Sequence, residues 1–412
     1  MSQAQIQSTK IKDQSTKTKD RKPVPSVETL SSNGTADVVI IGGGVIGLTI
    51  ARALALRGVG EVMILERGVL AGESSYAAGG ILAPRAEADC ADEFFELACQ
   101  SRDLYQSFAA ALLDQTGIDV ELDTTGALYL ALSEADEEEI EKRSAWQMRA
   151  GLALEKLSAE EARRLEPRIS PGVRGALHFP QDIQVENRRL LKALIAANEK
   201  LGVRLEPGTN VESVCLRHNR VTGVATSRGF VSTGQVVIAA GAWSSLIAGS
   251  EESGGRLPRV KVEPVRGQML CFDAQPTFAR HVIYSPRGYL VPRRDGRLLA
   301  GSTSEHEGFT KQVTAKGLFT ILSHALEIAP AVADLSLVDS WAGLRPRADD
   351  GLPVLGPCEE IQGLVYATGH YRNGILLAPI TGELIAEAIL SNVISPLLRC
   401  FSPDRFALID VT

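Results

Sequence analysis

The chain has 412 residues, a formal net charge of −7 and 23% charged residues. This length exceeds one ordinary domain of about 100–200 residues, so we expect two intertwined domains. The acidic balance argues against nucleic acid or an anionic membrane surface as a partner. None of the six cysteines forms a C-x-x-C pair, and the six histidines show no metal-ligand spacing. We therefore predict no metal site and a reducing, cytoplasmic location.

Residues 1–35 are rich in Ser, Thr, Lys and Gln and nearly devoid of large apolar side chains. Such a segment cannot bury enough surface to offset its ordering entropy, so we predict a disordered N-terminal extension. A transit peptide is the alternative, although Asp13 and Asp20 fit it poorly. The most apolar run, residues 38–51, has 14 residues. That is short of the ~20 needed to cross a bilayer, so we predict no membrane span.

Three glycines in the order G-x-G-x-x-G follow the extension. Gly42, Gly44 and Gly47 lie between an apolar strand at 38–41 and an apolar helix at 45–56. The first glycine allows a tight turn, the second lets the backbone approach a pyrophosphate, and the third lets helix and strand pack closely. The free N–H groups at the start of the helix favour phosphate.

An acid completes this unit. A second apolar strand, residues 62–65, ends in Glu66, which follows Gly47 by 19 residues. An acid about 20 residues after the last glycine is typical of a side chain that binds a ribose hydroxyl. The alternative is a glycine-rich turn in some other βαβ unit, but the complete set of strand, helix, strand and acid predicts dinucleotide binding.

Further along the chain, helices and strands are predicted in a mixed order. Apolar periodicity predicts helices at residues 92–115, 134–151, 187–201, 311–327 and 380–390. Strands are predicted at residues 126–132, 268–272, 289–292, 298–300 and 364–368. We therefore predict an α/β fold with α+β character in its second domain: a Rossmann-like nucleotide-binding domain and an interleaved antiparallel-sheet domain for the substrate. The nucleotide-binding domain is assigned to residues 36–90, 166–261 and 335–404, and the substrate domain to residues 91–165 and 262–334.

Nine sequence blocks follow one another between residue 37 and about residue 404: DVVIIGGGVIGL, ILERG, SSYAAGGILAP, VVIAAGAWS, EPVRGQML, YLVPRRDGR, GSTSEHEGF, WAGLRPRADDGLPVLG and GHYRNGILLAP. In this order they resemble the FAD-dependent D-amino acid oxidase family. The resemblance implies that the dinucleotide is FAD. It also implies a pyrophosphate turn, a ribose site, a flavin path along SSYAAGGI, an adenine contact and a loop around the flavin edge. The residues implied in FAD binding are Gly42, Gly44, Val45, Ile46, Gly47, Glu66, Arg67, Ser74, Ser75, Gly79, Gly80, Ile81, Val211, His370, Tyr371, Arg372, Asn373, Gly374, Ile375 and Leu376.

Two of these segments also fit the flavin on chemical grounds. Residues 77–80 read AAGG and carry almost no side chains, so a flat ring can lie against their backbone. A plain mobile linker is the alternative. The GHYRNG segment precedes a helix, whose free N–H groups can stabilise the anion of a reduced flavin.

A carboxylate clamp is predicted at Arg345, in the GLRP sequence, because a planar guanidinium matches two carboxylate oxygens. The alternative is a structural salt bridge to Asp349 or Asp350. Arg347 is predicted in a loop with a structural role. By resemblance, Arg372 is a second arginine near the substrate, and Tyr289 donates its hydroxyl to the substrate carboxylate; for the tyrosine, packing in the core is the alternative.

The resemblance implies oxidative deamination of glycine and similar small amines, such as sarcosine and small D-amino acids. The hydride passes to FAD, O2 is reduced to H2O2, and the glycine imine is supplied to the thiazole moiety of thiamine. Residues 284–288 depart from the family at the pocket mouth, where a histidine can occur, so we expect a different rim. A D-amino acid dehydrogenase, a sarcosine oxidase and a non-catalytic flavoprotein subunit stay open as alternatives. A homo-oligomer is the default expectation.

Overall fold

The computed structural model describes residues 32–250, 257–258, 260–391 and 394–406. Most of the predicted N-terminal extension, residues 1–31, therefore lies outside the described residues. Residues 32–35, assigned to that extension, form a strand that pairs with Gly229–Ser232. The backbone N–H and C=O groups of that neighbouring strand supply hydrogen bonds that composition alone does not reveal.

The helices and strands are numbered in chain order. The helices are α1 Val45–Leu56, α2 Ser74–Ala77, α3 Pro84–Glu87, α4 Glu93–Thr116, α5 Glu134–Arg149, α6 Ala159–Leu165, α7 Asn187–Lys200, α8 Ala315–Ile328, α9 Gly374–Ser391 and α10 Pro396–Arg399. The strands are β1 Ser32–Thr35, β2 Val38–Ile41, β3 Val62–Glu66, β4 Ile81–Leu82, β5 Ala127–Ala131, β6 Glu155–Ser158, β7 Gly175–Phe179, β8 Ile183–Gln184, β9 Arg204–Pro207, β10 Val211–Arg217, β11 Arg220–Thr226, β12 Gly229–Ser232, β13 Val236–Ile238, β14 Ala248–Ser250, β15 Val262–Asp273, β16 Val282–Tyr284, β17 Tyr289–Pro292, β18 Arg297–Gly301, β19 Ser336–Ala348, β20 Val354–Pro357 and β21 Leu364–Thr368.

A six-stranded sheet in the order β20-β21-β13-β2-β3-β9 forms the first layer. It is named the nucleotide-binding layer because it carries the predicted nucleotide-binding turn at residues 42–47. Its strands are parallel except β20, which pairs antiparallel with β21 at one edge. All four residues of β2 are buried, as expected for a parallel strand covered on both faces. Helices α1, α4, α7 and α9 share one core with one face of the sheet, and strands β10, β11 and β12 cover the other face.

An eight-stranded, mainly antiparallel sheet forms the second layer, in the order β19-β15-β18-β17-β16-β5-β7-β6. Strand β15 pairs with β19 from Val262↔Ala348 to Asp273↔Ser336. Arg347 lies in β19 and not in a loop, so its predicted location is wrong. Two prolines, Pro264 and Pro346, face each other in this register. Strand β19 lies at the sheet edge, where proline is tolerated, and its proline weakens the strand pattern in the sequence.

The domain boundaries suggested by the sequence differ from this arrangement at three elements. Strands β7 and β19 pair into the eight-stranded sheet, although their residues were assigned to the nucleotide-binding domain. Helix α4 was assigned to the substrate domain, yet it packs in the core of the nucleotide-binding layer. The chain crosses between layers at these points, and a local sequence pattern does not report which sheet a strand joins. For the other elements, the division of the chain into two domains stays a prediction.

Helix α9 begins at Gly374, upstream of the predicted start, and contains Pro379. A proline inside a helix leaves the carbonyl four residues earlier without its helical donor. Here the hydroxyl of Tyr105, on α4, donates to that carbonyl, which belongs to Ile375. The hydroxyl of Ser101, one turn away on α4, donates to the next carbonyl at 2.6 Å. Helix α4 therefore stabilises the first turns of α9, which adjoin the predicted flavin loop.

One helix in the described part of the chain, α9, is long and apolar enough to cross a membrane. Its apolar window is 67% buried inside the protein, which is typical of a core helix in a soluble protein. This burial accounts for its composition without a membrane.

Candidate functional site

A cavity of about 470 Å³ lies between the two sheets. The glycine turn, the α2–β4 segment, the start of α9 and strands β15, β17 and β19 all contribute to its lining. The lining includes every predicted FAD-binding residue except Gly47 and Leu376. Gly47 instead supports the turn, because a Cβ atom there would lie 2.0 Å from the carbonyl oxygen of Gly42. Leu376 is buried in the core.

The glycine turn presents the start of α1 to this cavity. Gly42 has a φ of +114°, and a Cβ atom there would lie 2.4 Å from the carbonyl oxygen of Ala239. Only glycine fits both conditions. The first N–H of the helix, from Val45, donates to Ser75 Oγ at 3.1 Å. The α2 segment is thereby attached to the phosphate-binding end of the helix.

Glu66 is oriented by backbone donors on both sides. The N–H of Gly43 donates to one carboxylate oxygen at 2.9 Å, and the N–H of Gly68 donates to the other at 2.8 Å. Next to it, the Arg67 guanidinium lies 3.7 Å from the ring centroid of Trp243. Val211 also lines the cavity, two residues after Thr209, whose N–H donates to the Glu66 carbonyl at 2.8 Å. The geometry therefore fits an adenosine site with an acid, a cation and an aromatic ring.

The AAGG segment is held from one side by a buried arginine that sequence reasoning did not single out. Arg293 donates to the carbonyls of Gly79 at 2.7 Å and Val185 at 3.0 Å. A Cβ atom at Gly80 would lie 2.0 Å from the carbonyl oxygen of Val185. Burial lowers the pKa of Arg293 to about 10, and no carboxylate among the described residues forms an ion pair with it. This arginine is a positioning residue for the loop.

The same segment is held from the other side by β19. Trp341 Nε1 donates to the carbonyl of Ala77 at 3.0 Å. The Ser74 hydroxyl donates to the carbonyl of Leu344. A Cβ atom at Gly343 would lie 2.7 Å from the Ala77 methyl group, so the strand and the loop are in close contact. These bonds count against the mobile-linker alternative.

Arg345 projects from β19 into the cavity and is held by two oxygens. Its guanidinium donates to the Thr303 carbonyl at 2.9 Å and to Ser302 Oγ at 2.7 Å. No carboxylate of the described residues forms an ion pair with it. The alternative partners are engaged elsewhere: Asp349 pairs with Lys261 at 2.8 Å, and Asp350 pairs with an arginine near the C-terminus at 2.7 Å. Arg345 is therefore a charged, oriented group available to an anion.

Tyr289 lines the cavity from β17 and is half-buried. Its hydroxyl donates to Met269 Sδ at 3.4 Å, a weak contact that leaves the oxygen available to a ligand. A Cβ atom at the facing Gly301 would lie 2.6 Å from that hydroxyl. Its ring also contacts the ring of Tyr284 at 5.9 Å. The structure thus gives Tyr289 both core packing and a polar tip in the cavity.

Arg372 reaches the cavity from the loop before α9. The neighbouring Tyr371 donates its N–H to the Pro346 carbonyl at 2.8 Å, which connects this loop to the strand that carries Arg345. Arg372 Nη2 lies 3.5 Å from Glu87 Oε1. Glu87 also lines the cavity and was missed by sequence reasoning. The chief cause of the raised pKa of Arg372 is this carboxylate.

His370 closes the inner end of this loop. It is almost fully buried, and its Nε2 lies 3.2 Å from Thr381 Oγ1. Burial lowers the pKa of His370 to about 3. The imidazole is therefore neutral at physiological pH and adds no charge beside the start of α9.

The chemistry of these residues fits FAD. A glycine turn opens a helix, an oriented acid ends the second strand, and a loop of small residues passes between two anchoring elements. Together they define a dinucleotide-binding oxidoreductase. Residues 37–388 match the family model described as DAO, FAD dependent oxidoreductase. The chain belongs to this family, and its cofactor is FAD.

Known proteins support a closer relationship within the family. The chain is 37% identical over 351 residues to a glycine oxidase of Pseudomonas aeruginosa, covering 85% of this chain and 93% of that protein. It is 38% identical over 380 residues to a bifunctional protein ThiO/ThiG of Synechocystis, covering 90% of this chain but 54% of that protein. The chain therefore spans about half the length of this bifunctional relative.

A solved structure of glycine oxidase from Geobacillus kaustophilus has the same fold. It superposes with a TM-score of 0.83 at 34% identity, over 90% of this chain and 99% of that chain. The predicted α/β fold with a second, mainly antiparallel layer is confirmed. The resemblance stated from the sequence blocks is confirmed as well.

Proposed function

We propose that this protein is an FAD-dependent amino acid oxidase that oxidises glycine and similar small amines, such as sarcosine and small D-amino acids, with O2 as the electron acceptor and H2O2 as product. The observation that carries this proposal is the geometry of Arg345. Its guanidinium is fixed by two oxygens and has no carboxylate partner among the described residues. It lines the same cavity as the glycine turn and the AAGG loop.

FAD, when bound, supplies the hydride acceptor and the reaction with O2. In this proposal Glu66 and Arg67 hold the ribose end, and Val45 and Ile46 hold the pyrophosphate at the start of α1. The segment from Ser74 to Ile81 and the loop that contains His370 hold the ring system. Their presence on one cavity supports this assignment.

Arg345 and Tyr289 bind the substrate carboxylate in this proposal. The arginine provides two parallel N–H donors and the tyrosine provides one O–H donor. A carboxylate held at these points restricts the orientations that the α-amine can take in the cavity. Orientation of this kind can supply ~7–11 kcal/mol of a barrier. No side chain needs to act as a base if the amine binds in its neutral form.

The imine of glycine is the product that thiazole formation in thiamine synthesis would consume, which is the role implied by the family resemblance. The relation to a bifunctional protein ThiO/ThiG supports this assignment. We place the enzyme in the cytoplasm and expect a homo-oligomer, and both stay predictions.

Anaerobic titration of the purified protein with glycine, sarcosine, D-alanine and D-proline tests the proposal. The expected result is loss of the visible flavin absorbance, followed by one equivalent of peroxide per amine when O2 is admitted. Reduction without peroxide would indicate a dehydrogenase. A flavin that none of these amines bleaches would overturn the proposal and support a non-catalytic flavoprotein.

Acid precipitation separates this enzyme from a sarcosine oxidase with covalent flavin. No cysteine in the described part of the chain lines the cavity. Cys358 is buried in the core between the six-stranded sheet and strands β10, β11 and β12. Burial raises the pKa of its thiol to about 11. We therefore expect acid to release all of the flavin into the supernatant.

A further inference from the structure

Two of the arginines that line the cavity, Arg345 and Arg372, differ in their charge balance. Arg372 lies 3.5 Å from Glu87, whereas Arg345 is held by a neutral carbonyl and a neutral hydroxyl. Both arginines and Glu87 line the same cavity. A ligand that contacts both side chains therefore meets one arginine whose charge a carboxylate compensates, Arg372, and one whose charge no carboxylate compensates, Arg345.

Glu87 is held in its place by a second contact. The hydroxyl of Tyr284 donates to Glu87 Oε1 at 3.0 Å. Burial raises the pKa of Tyr284 well above its ordinary value, so the phenol stays a neutral donor. Tyr284 itself is packed between the rings of Tyr129 and Tyr289. The carboxylate is thereby fixed at the end of α3, facing Arg372.

We propose that Glu87 determines specificity by restricting the site to amines with a single carboxylate. It compensates the charge of Arg372 and repels a second carboxylate, while the first carboxylate is bound by Arg345 with Tyr289. Like charges brought together at short range penalise the wrong ligand, which is a common route to specificity. The inference depends on the proposed function for the identity of its substrates, but the charge balance can be tested by ligand binding alone.

A different role for Glu87 makes an opposite prediction. If its carboxylate held the substrate ammonium group, loss of the charge would weaken amine binding and leave simple carboxylic acids unaffected. In the proposed role, loss of the charge instead strengthens the binding of dicarboxylates, with or without an amine.

The test uses Glu87→Gln in the full-length protein loaded with FAD. Glutamine keeps an oxygen that can accept from Tyr284 but removes the negative charge. Acetate and malonate serve as unreactive mono- and dicarboxylate probes, and their dissociation constants are measured from the change in the flavin visible spectrum. Sarcosine and iminodiacetate provide the matching amines, because they differ by one carboxylate. Asp89→Asn is the control, since it removes an equal charge from an exposed side chain two residues away.

In Glu87→Gln, we expect malonate to gain at least tenfold in affinity relative to acetate, and iminodiacetate to gain as much in kcat/KM relative to sarcosine. Asp89→Asn should leave both ratios within twofold. Adding Arg372→Met to Glu87→Gln should cancel the gain. Unchanged ratios in Glu87→Gln, or a gain that persists without Arg372, would overturn the proposal.

If Glu87→Gln does not retain flavin, Arg372→Met in the otherwise unaltered protein gives the second test. Glu87 is then uncompensated, so malonate should lose at least tenfold relative to acetate, and an unchanged ratio contradicts the proposal. The acetate and malonate measurements need no turnover. If glycine and sarcosine fail to bleach the flavin, the proposed oxidase function fails, while these binding ratios still decide the role of Glu87.

Discussion

Gly267 lies directly against the guanidinium group of Arg345, and a Cβ atom at Gly267 would come within 2.3 Å of three guanidinium atoms. The two residues are on the paired strands β15 and β19, where Val265 faces Arg345 in the register. Because Gly267 has no side chain, there is space on β15 for the guanidinium group of Arg345. The sequence EPVRGQML contains this glycine, but no local pattern reveals what it accommodates.

Replacement of Gly267 by Ala should displace the guanidinium from Thr303 and Ser302 and weaken the binding of the substrate carboxylate. We expect the KM for glycine to rise at least about tenfold, which corresponds to about 1.4 kcal/mol. Steady-state kinetics measures the change. Gly234→Ala is the matched control because a Cβ atom there would meet open space. An unchanged KM in Gly267→Ala would mean that the position of Arg345 does not matter for binding.

Replacement of Arg345 by Ala should raise the KM much more, because hydrogen bonds to a charged group contribute about 1.5–3 kcal/mol each. Two such bonds correspond to about 3–6 kcal/mol, so we expect an increase of roughly 100-fold or more, with the protein still yellow. Arg347→Ala is the control on the same strand, since Arg347 pairs with Glu263 at 3.2 Å. If Arg345→Ala loses flavin or fails to fold, the assignment of Arg345 as substrate clamp is wrong.

Replacement of Arg293 by Met should lower the affinity for FAD, because the carbonyls of Gly79 and Val185 lose their donors and the AAGG loop loses one anchor. We expect the dissociation constant for FAD to rise at least about tenfold, measured by flavin fluorescence after equilibrium dialysis. Arg294→Met is the control, because the Arg294 side chain is half exposed and pairs with Asp119. Equal FAD affinity in both variants would remove Arg293 from the flavin site.

Replacement of Tyr105 by Phe should destabilise the protein, because the Ile375 carbonyl beside Pro379 then has no donor. An unsatisfied buried polar group costs about 1–3 kcal/mol, so urea unfolding should show a loss of this size. Tyr76→Phe is the control because Tyr76 is exposed. A loss no larger than that of Tyr76→Phe would show that the helix does not need this hydroxyl.

Stability should fall in acid partly because of His370. Burial lowers its pKa to about 3 from 6.5, so the unfolded chain binds a proton that the folded protein does not. The stability that the neutral His370 contributes to the free energy of unfolding is fully present above pH 6.5. It is lost as the pH falls from 6.5 towards 3, at up to about 1.4 kcal/mol per pH unit. His370→Gln should flatten the slope of unfolding free energy between pH 6.5 and 4.5 by about one proton. His306→Gln, at an exposed position, is the control variant, and an equal change of slope in both variants would contradict the assignment to His370.

The features that sequence predicted well are local. The glycine turn, Glu66 and the AAGG loop each lie within one short segment, so spacing alone indicates their chemistry. Helix α7 and strand β21 likewise follow from their own apolar patterns. Arg345 was predicted from the chemistry of its guanidinium and Tyr289 from the family resemblance, and both line one cavity with Arg372.

The features that sequence missed depend on contacts between distant segments. Glu87 and Tyr284 are 197 residues apart, and Arg293 lies 214 residues from Gly79. From the sequence YLVPRR alone, Arg293 resembles a surface charge. Only the fold shows that its guanidinium donates to the carbonyls of Gly79 and Val185. Trp243 is a similar case, because only the fold places Arg67 against its ring.

The hydroxyl groups that α4 offers to α9 join parts of the chain more than 250 residues apart. A truncated gene product that ends before Gly374 would leave Ser101 and Tyr105 without their acceptors and the apolar side of α4 in water. The core of the nucleotide-binding layer therefore needs segments from both the first third and the end of the described chain. Limited proteolysis of the intact molecule should likewise yield nicked products that stay associated until a denaturant separates them.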